Sequence, residues 1–227
     1  MAGTDWKAGD VLTALEHRGY QRLPPSESMG KAVRYESPFS SAEVSQYVHL
    51  NYKTGARAYD IWVGWSNAKA RELLERCLTS IQPLADPVGG GRFPQAKLPC
   101  WTWFNACRVL GGYHLIPLPT NRREGPAQFA TVVETFLEPI FETTRSAADI
   151  VERLLRDTLP LEWLATNPIP RAAEIMATSL AAGRDLDTLM PQLRLRAPKR
   201  QYLGEQWPEV LERLASLLSN CPSPASR

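Results

Sequence analysis

The chain has 227 residues, 44% of them hydrophobic and 22% charged, with a formal net charge of +2. It can bury a core as one large domain or as two halves sharing an interface. The near-neutral balance argues against a dedicated nucleic-acid binder, which carries a basic excess or stripe. No uncharged apolar run approaches the roughly 18 residues of a membrane helix.

The N-terminus, Met1-Ala2-Gly3-Thr4-Asp5-Trp6, has neither the basic nor the apolar region of a signal peptide, so a cytoplasmic protein is expected. Residues 1–125 hold 15 Lys/Arg against 11 Asp/Glu, and residues 126–227 hold 11 against 13. A basic front and a mildly acidic back fit two structural units. The four cysteines, Cys77, Cys100, Cys107 and Cys221, form no C-x-x-C pair, and reduced structural thiols are expected.

In chain order, Thr4 or Asp5 caps a first helix whose apolar positions are Val11, Leu12 and Leu15, with Gly19 as its stop. Short strands are predicted at Tyr20 to Leu23 and Lys31 to Tyr35. Longer ones follow at Val44 to Tyr52 and Arg57 to Trp65, with a turn through Lys53-Thr54-Gly55-Ala56. This hairpin sets Val48 opposite Ile61 and Leu50 opposite Tyr59 on an apolar face. Tyr47 opposite Trp62 and His49 opposite Asp60 lie on a mixed face.

Ser66-Asn67 caps a helix with the stripe Leu73, Leu74, Cys77, Leu78, Ile81, which Pro83 and Pro87 are expected to end. Strands are predicted at Cys100 to Phe104 and Tyr113 to Leu118. From Pro126 onward the pattern is helical. Phe129, Val132, Val133, Phe136, Leu137, Ile140 and Phe141 share one face, and Pro139 should kink or split that helix. Ser146 with Asp149 is an N-cap signature. Further helices are predicted over 171–182, stopped by Gly183, and over 185–194 and 208–219.

The expected fold is therefore α+β. An N-terminal antiparallel sheet flanked by helices (residues 1–120) precedes a helical unit packed on it (121–220), the two forming two domains or one. A flexible tail covers 221–227.

Catalytic signals are sparse. His17, His49 and His114 sit in different elements with no paired C-x-x-C, so no metal or cofactor is expected. Cys77 lies on an apolar stripe and reads as an inert core thiol. Gly89-Gly90-Gly91-Arg92 lacks the Lys-Ser/Thr of a phosphate loop. The one candidate pair is His49 with Asp60, where a carboxylate would orient an imidazole for general-base work.

Two surfaces suit partner binding. One is the mixed sheet face with Tyr47, His49, Asp60 and Trp62, aromatic side chains among polar ones. The other is the row Glu134, Glu138, Glu142, whose i, i+4, i+8 repulsion a basic partner would relieve. Arg194, Arg196, Lys199 and Arg200 form a short basic cluster that reads as solvated.

Three segments carry a family resemblance: Leu15-Glu16-His17-Arg18-Gly19-Tyr20, then Tyr47-Val48-His49-Leu50-Asn51-Tyr52, then Asp60-Ile61-Trp62-Val63-Gly64-Trp65. Helix, glycine, aromatic and a sheet of self-similar strands together resemble bacterial cytosolic immunity-protein domains over roughly residues 8–80. That resemblance implies binding and occlusion of a cognate toxin. It carries over no functional residue, because immunity interfaces differ from pair to pair. The alternatives are a small hydrolase or transferase using His49 and Asp60, and an adaptor or chaperone for a secreted effector.

Overall fold

A computed structural model describes residues 8–24, 33–53, 58–85, 102–105, 116–117, 129–156, 168–196 and 201–221. The fold is α+β, with an antiparallel sheet in the N-terminal part and a mostly helical C-terminal half. The chain forms two compact units that interleave in sequence. The first is Met1–Trp65 with Trp103–Arg145, and the second is Ser66–Thr102 with Ser146–Arg227. The sequence division expected at 120/121 falls inside the first of them.

The first unit opens with α1, Ala8–Glu16. Gly19, at φ 82°, ends it in the left-handed conformation that glycine adopts without a Cβ penalty. Its N–H donates to the Glu16 carbonyl at 3.0 Å, and the Tyr20 N–H to that of Leu15 at 3.1 Å. This is a Schellman motif, and the apolar contact that completes it comes from Leu15 and Tyr20, both buried.

Among the described residues the sheet has six strands: β1 Gln21–Arg22, β2 Val33–Glu36, β3 Val44–Lys53, β4 Ala58–Asn67, β5 Thr102–Asn105 and β6 Ile116–Pro117. Strands β1 to β5 are neighbours in that order, and β6 also pairs with β4. In the antiparallel β2–β3 pair, Tyr35 faces Val48 and Arg34 faces His49. Along β3, Val44, Gln46, Val48 and Leu50 are fully buried on one face, while on the other Ser45 and Asn51 are half-exposed at the ends and Tyr47 and His49 are buried between them. The predicted turn residues Thr54 to Ala56 lie outside the described residues.

Helix α3 spans 129–142 and buries Phe129, Val133, Leu137, Ile140 and Phe141. Its middle, Val133–Leu137, is a π-helical turn, and Glu138–Glu142 is α-helical. The Glu138 N–H reaches back five residues to the Val133 carbonyl. Pro139 has no N–H to give the Thr135 carbonyl, so the ladder is already broken there. Slipping to the wider turn accommodates the break without splitting the helix. The widened turn leaves Val132 and Phe136 only half-buried.

The C-terminal end of α3 is buried, and its carbonyls need donors. Gln46 on β3 supplies them. Its Nε2 donates to the carbonyls of Phe141 at 2.7 Å and Thr144 at 2.8 Å. Trp65 on β4 donates Nε1–H to the Thr144 hydroxyl at 2.7 Å, and that hydroxyl donates to the Ile140 carbonyl at 2.7 Å. Reversing the Gln46 amide would set its oxygen against two carbonyl oxygens, so the bonds fix its orientation.

The second unit contains α2 Ala68–Ala85, α4 Ala147–Arg156, α5 Pro168–Ala181, α6 Leu186–Arg194 and α7 Gln201–Ser219. Asn67 accepts from the Ala70 N–H at 3.0 Å and caps α2. Ser146 and Asp149 form a reciprocal capping box at the start of α4. Asp185 caps α6, and Gly183 ends α5 at φ 72°.

Pro83 does not end α2, contrary to expectation. The helix runs to Ala85 with Pro83 inside it. The proline is exposed, and burial of Ile81 and Leu84 on either side holds the last turn. Likewise α7 begins at Gln201, ahead of Pro208, and Trp207 is fully buried with its Nε1–H donated to the Leu193 carbonyl at 3.0 Å.

Helix α5 packs against α2, α4, α6 and α7, and every residue from Ile169 to Ser179 is buried. A helix covered on all sides is a core helix. It nonetheless holds an ion pair, Arg171 to Glu174 at 2.9 Å, with side chains 3% and 5% exposed. Burial pushes the Glu174 carboxyl up to about 7, against the opposing pull of the Arg171 charge.

Two outcomes are expected. Gln46→Leu takes the donor from the buried Thr144 carbonyl and the shorter of the bonds to that of Phe141, which keeps the Thr144 N–H at 3.3 Å, and should lower unfolding stability by about 2 kcal/mol, read by urea titration. For Glu174, the folded state holds the proton more tightly than the unfolded state. Stability should therefore fall as pH rises from about 4.5, the ordinary value, to about 7. The total is about 3 kcal/mol, and denaturant titration of Glu174→Gln should lack this slope.

Candidate functional site

Both candidate surfaces lie in the first unit. On the sheet, Tyr47 and His49 are only 9% and 8% exposed, and Trp62 is half-exposed. The strand neighbour of His49 is Arg34, itself buried, with its guanidinium donating to the Pro24 carbonyl at 2.9 Å. This face therefore offers little area to a partner. Asp60 lies on β4, but its side chain is outside the described residues, so the His49–Asp60 pair has no described geometry.

The carboxylate row on α3 is more open. Glu134 and Glu142 are exposed, and Glu138 is half-exposed. The Schellman turn after α1 presents Arg18, whose guanidinium donates to Glu138 at 3.1 Å and also pairs with Glu134. Partial burial works against the charged guanidinium. The hydrogen bonds and charges of Glu134 and Glu138 outweigh it and hold its pKa above the ordinary value.

One cation reached by both carboxylates means that Glu134 and Glu138 still share a face across the π turn. The repulsion expected along the row is thus partly relieved from within the chain. Beside them, burial drives the Tyr20 phenol well above its usual pKa, with the Glu138 charge adding to the effect. Tyr20 packs against Phe141 with ring centroids 6.4 Å apart.

Sequence reasoning did not find Arg18. Its partners lie 116 and 120 positions away, and no local spacing signals such a pair. In the second unit, the described arginines of the basic cluster are engaged. Arg194 pairs with Glu212, and Arg196 donates to the carbonyls of Gln192 and Leu155. Lys199 and Arg200 lie outside the described residues. No group of side chains suited to a metal ion occurs among the described residues. No described helix is long and apolar enough to cross a membrane.

In comparisons with known proteins, no family model, no curated protein and no solved structure matches the chain. The immunity-protein resemblance therefore rests on the residues quoted for it.

Arg18→Met should lower stability by about 1 kcal/mol. The loss should shrink at high salt, because what remains is repulsion between exposed carboxylates that counterions screen. Urea titrations at low and high ionic strength check this.

Proposed function

We propose that the protein is an immunity or inhibitor protein that binds a cognate bacterial toxin and occludes its active site. The α3 carboxylate face would be the contact. One observation supports this reading best: Arg18 holds Glu134 and Glu138 on one side of a helix whose end is fixed by Gln46. Two carboxylates share that one guanidinium and Glu142 is exposed at the end of the same helix, so negative charge on this helix exceeds the cation that pairs with it. Such a surface suits a basic patch on a partner and speeds encounter through electrostatic steering.

The sheet face contributes less to this reading, since Tyr47 and His49 are nearly covered. The hydrolase or transferase alternative draws no support from His49, whose strand neighbour is a buried arginine. Nothing described favours the adaptor alternative over inhibition of a folded toxin.

Co-expression with the toxin-like product of the neighbouring gene should yield a stable complex and restore growth. The double substitution Glu134→Lys, Glu142→Lys should weaken that complex by at least about tenfold. The affinity of the unsubstituted pair should drop as salt rises. Undiminished binding by the charge-reversed chain would remove α3 from the interface. Absence of any complex or protection would sink the proposal.

A further inference from the structure

Cys77 and Cys221 lie 144 positions apart in sequence, yet the second unit brings them together. Cys77 sits on the buried stripe of α2, which packs against α7. Its thiol donates to the Leu217 carbonyl at 3.6 Å. Leu217 is in the last turn of α7, and Cys221 follows four residues later. The Asn220 N–H still bonds to the Ser216 carbonyl at 3.0 Å, so the helical path continues to that point.

Just past the helix, the Cys221 N–H bonds to the Leu218 carbonyl at 3.4 Å, which keeps Cys221 against the turn that contains Leu217. That brings Cys221 beside the Cys77 thiol bonded to the Leu217 carbonyl, near enough to push that thiol up. Both thiols are free. Cys77 is buried and Cys221 is half-exposed.

We propose that Cys77 and Cys221 are a redox modification site, joined reversibly into a disulfide by a small-molecule disulfide of the glutathione type. The difference in exposure sets the order of events. Burial, together with the hydrogen bond and charge of Cys221, pushes the Cys77 thiol up to about 12, against a lowering by Arg76. Cys77 is therefore a poor first nucleophile, and Cys221 is the thiol an oxidant can reach.

The Cys221 thiolate attacks one sulfur of the small disulfide, forming a mixed disulfide and expelling one thiolate. The Cys77 sulfur then attacks Sγ of Cys221, the mixed S–S bond breaks, and a second small thiolate leaves. The protons lost by the two cysteines are taken up by the two small thiols. The protein pair is oxidised by two electrons and the small disulfide is reduced to two thiols.

The bond ties the C-terminal end of α7 to α2 and closes a long loop in the unfolded chain. Closing such a loop raises the melting temperature on the order of 10 °C for a chain of this size. The site is independent of the α3 face, so it stands or falls apart from the proposed toxin contact.

The test equilibrates the reduced full-length chain with oxidised and reduced glutathione over a range of ratios. Cysteines are then blocked, peptides are mapped by mass spectrometry, and melting is followed in parallel. A peptide linking Cys77 to Cys221, two fewer free thiols per chain and a raised melting temperature are expected. Cys221→Ser should melt like the reduced chain and show neither the link nor the rise. A persistent glutathione adduct on Cys221 without the link would overturn the proposal. So would linkage of either residue to Cys100 or Cys107 in its place.

Discussion

The first unit depends on how the buried end of α3 is satisfied. A helix terminus leaves carbonyls without partners, and burying them unpaired is costly. The sheet answers with two donors from adjacent strands, the Gln46 amide and the Trp65 indole, which meet at Thr144. Both donors sit on the faces of β3 and β4 that are otherwise filled with Val48, Leu50, Ile61 and Val63. The polar node is therefore surrounded by apolar packing, where each hydrogen bond is strong and a missing partner is expensive. It fixes the rotation and axial position of the helix end relative to the strands.

That anchoring carries through the rest of α3. With Phe141 held, its ring meets Tyr20, the residue that completes the turn after α1. The same turn presents Arg18 to Glu134 and Glu138. A backbone motif at one glycine and a side-chain cap on a distant strand thus act on opposite ends of one carboxylate row. The π turn lets Pro139 be tolerated while Glu134 and Glu138 stay within reach of one guanidinium. The candidate surface is ordered by contacts made beneath it and beside it.

Much of this fold was legible in the sequence because its signals are local. Gly19 and Gly183 stop their helices, Asn67, Ser146 and Asp185 start theirs, and the core face of β3 is written in Val44, Val48 and Leu50. The interior prolines misled where burial outweighed them. One lost hydrogen bond at Pro83 does not end a helix whose flanking Ile81 and Leu84 are in the core. At the candidate site, the carboxylates were visible as a row, but Arg18 was not. Gln46 and Thr144 look like ordinary polar residues until tertiary packing puts a helix end against a strand. Nothing local in the spacing of Arg171 and Glu174 signals burial, and only the four helices around α5 make them a core feature.

The enclosure of α5 also bears on how the chain acquires its structure. The helices that cover it come from two stretches, 68–85 and 147–219, with strands and α3 encoded between them. During synthesis α2 emerges first, and its stripe of Leu74, Cys77, Ile81 and Leu84 has no partner until α5 and α7 follow. Contacts of such long sequence separation form slowly, and exposed apolar helix faces favour association with other chains in the interval. Helix α7 is one of those that close the core, so the second unit can complete itself only after α7 has been made.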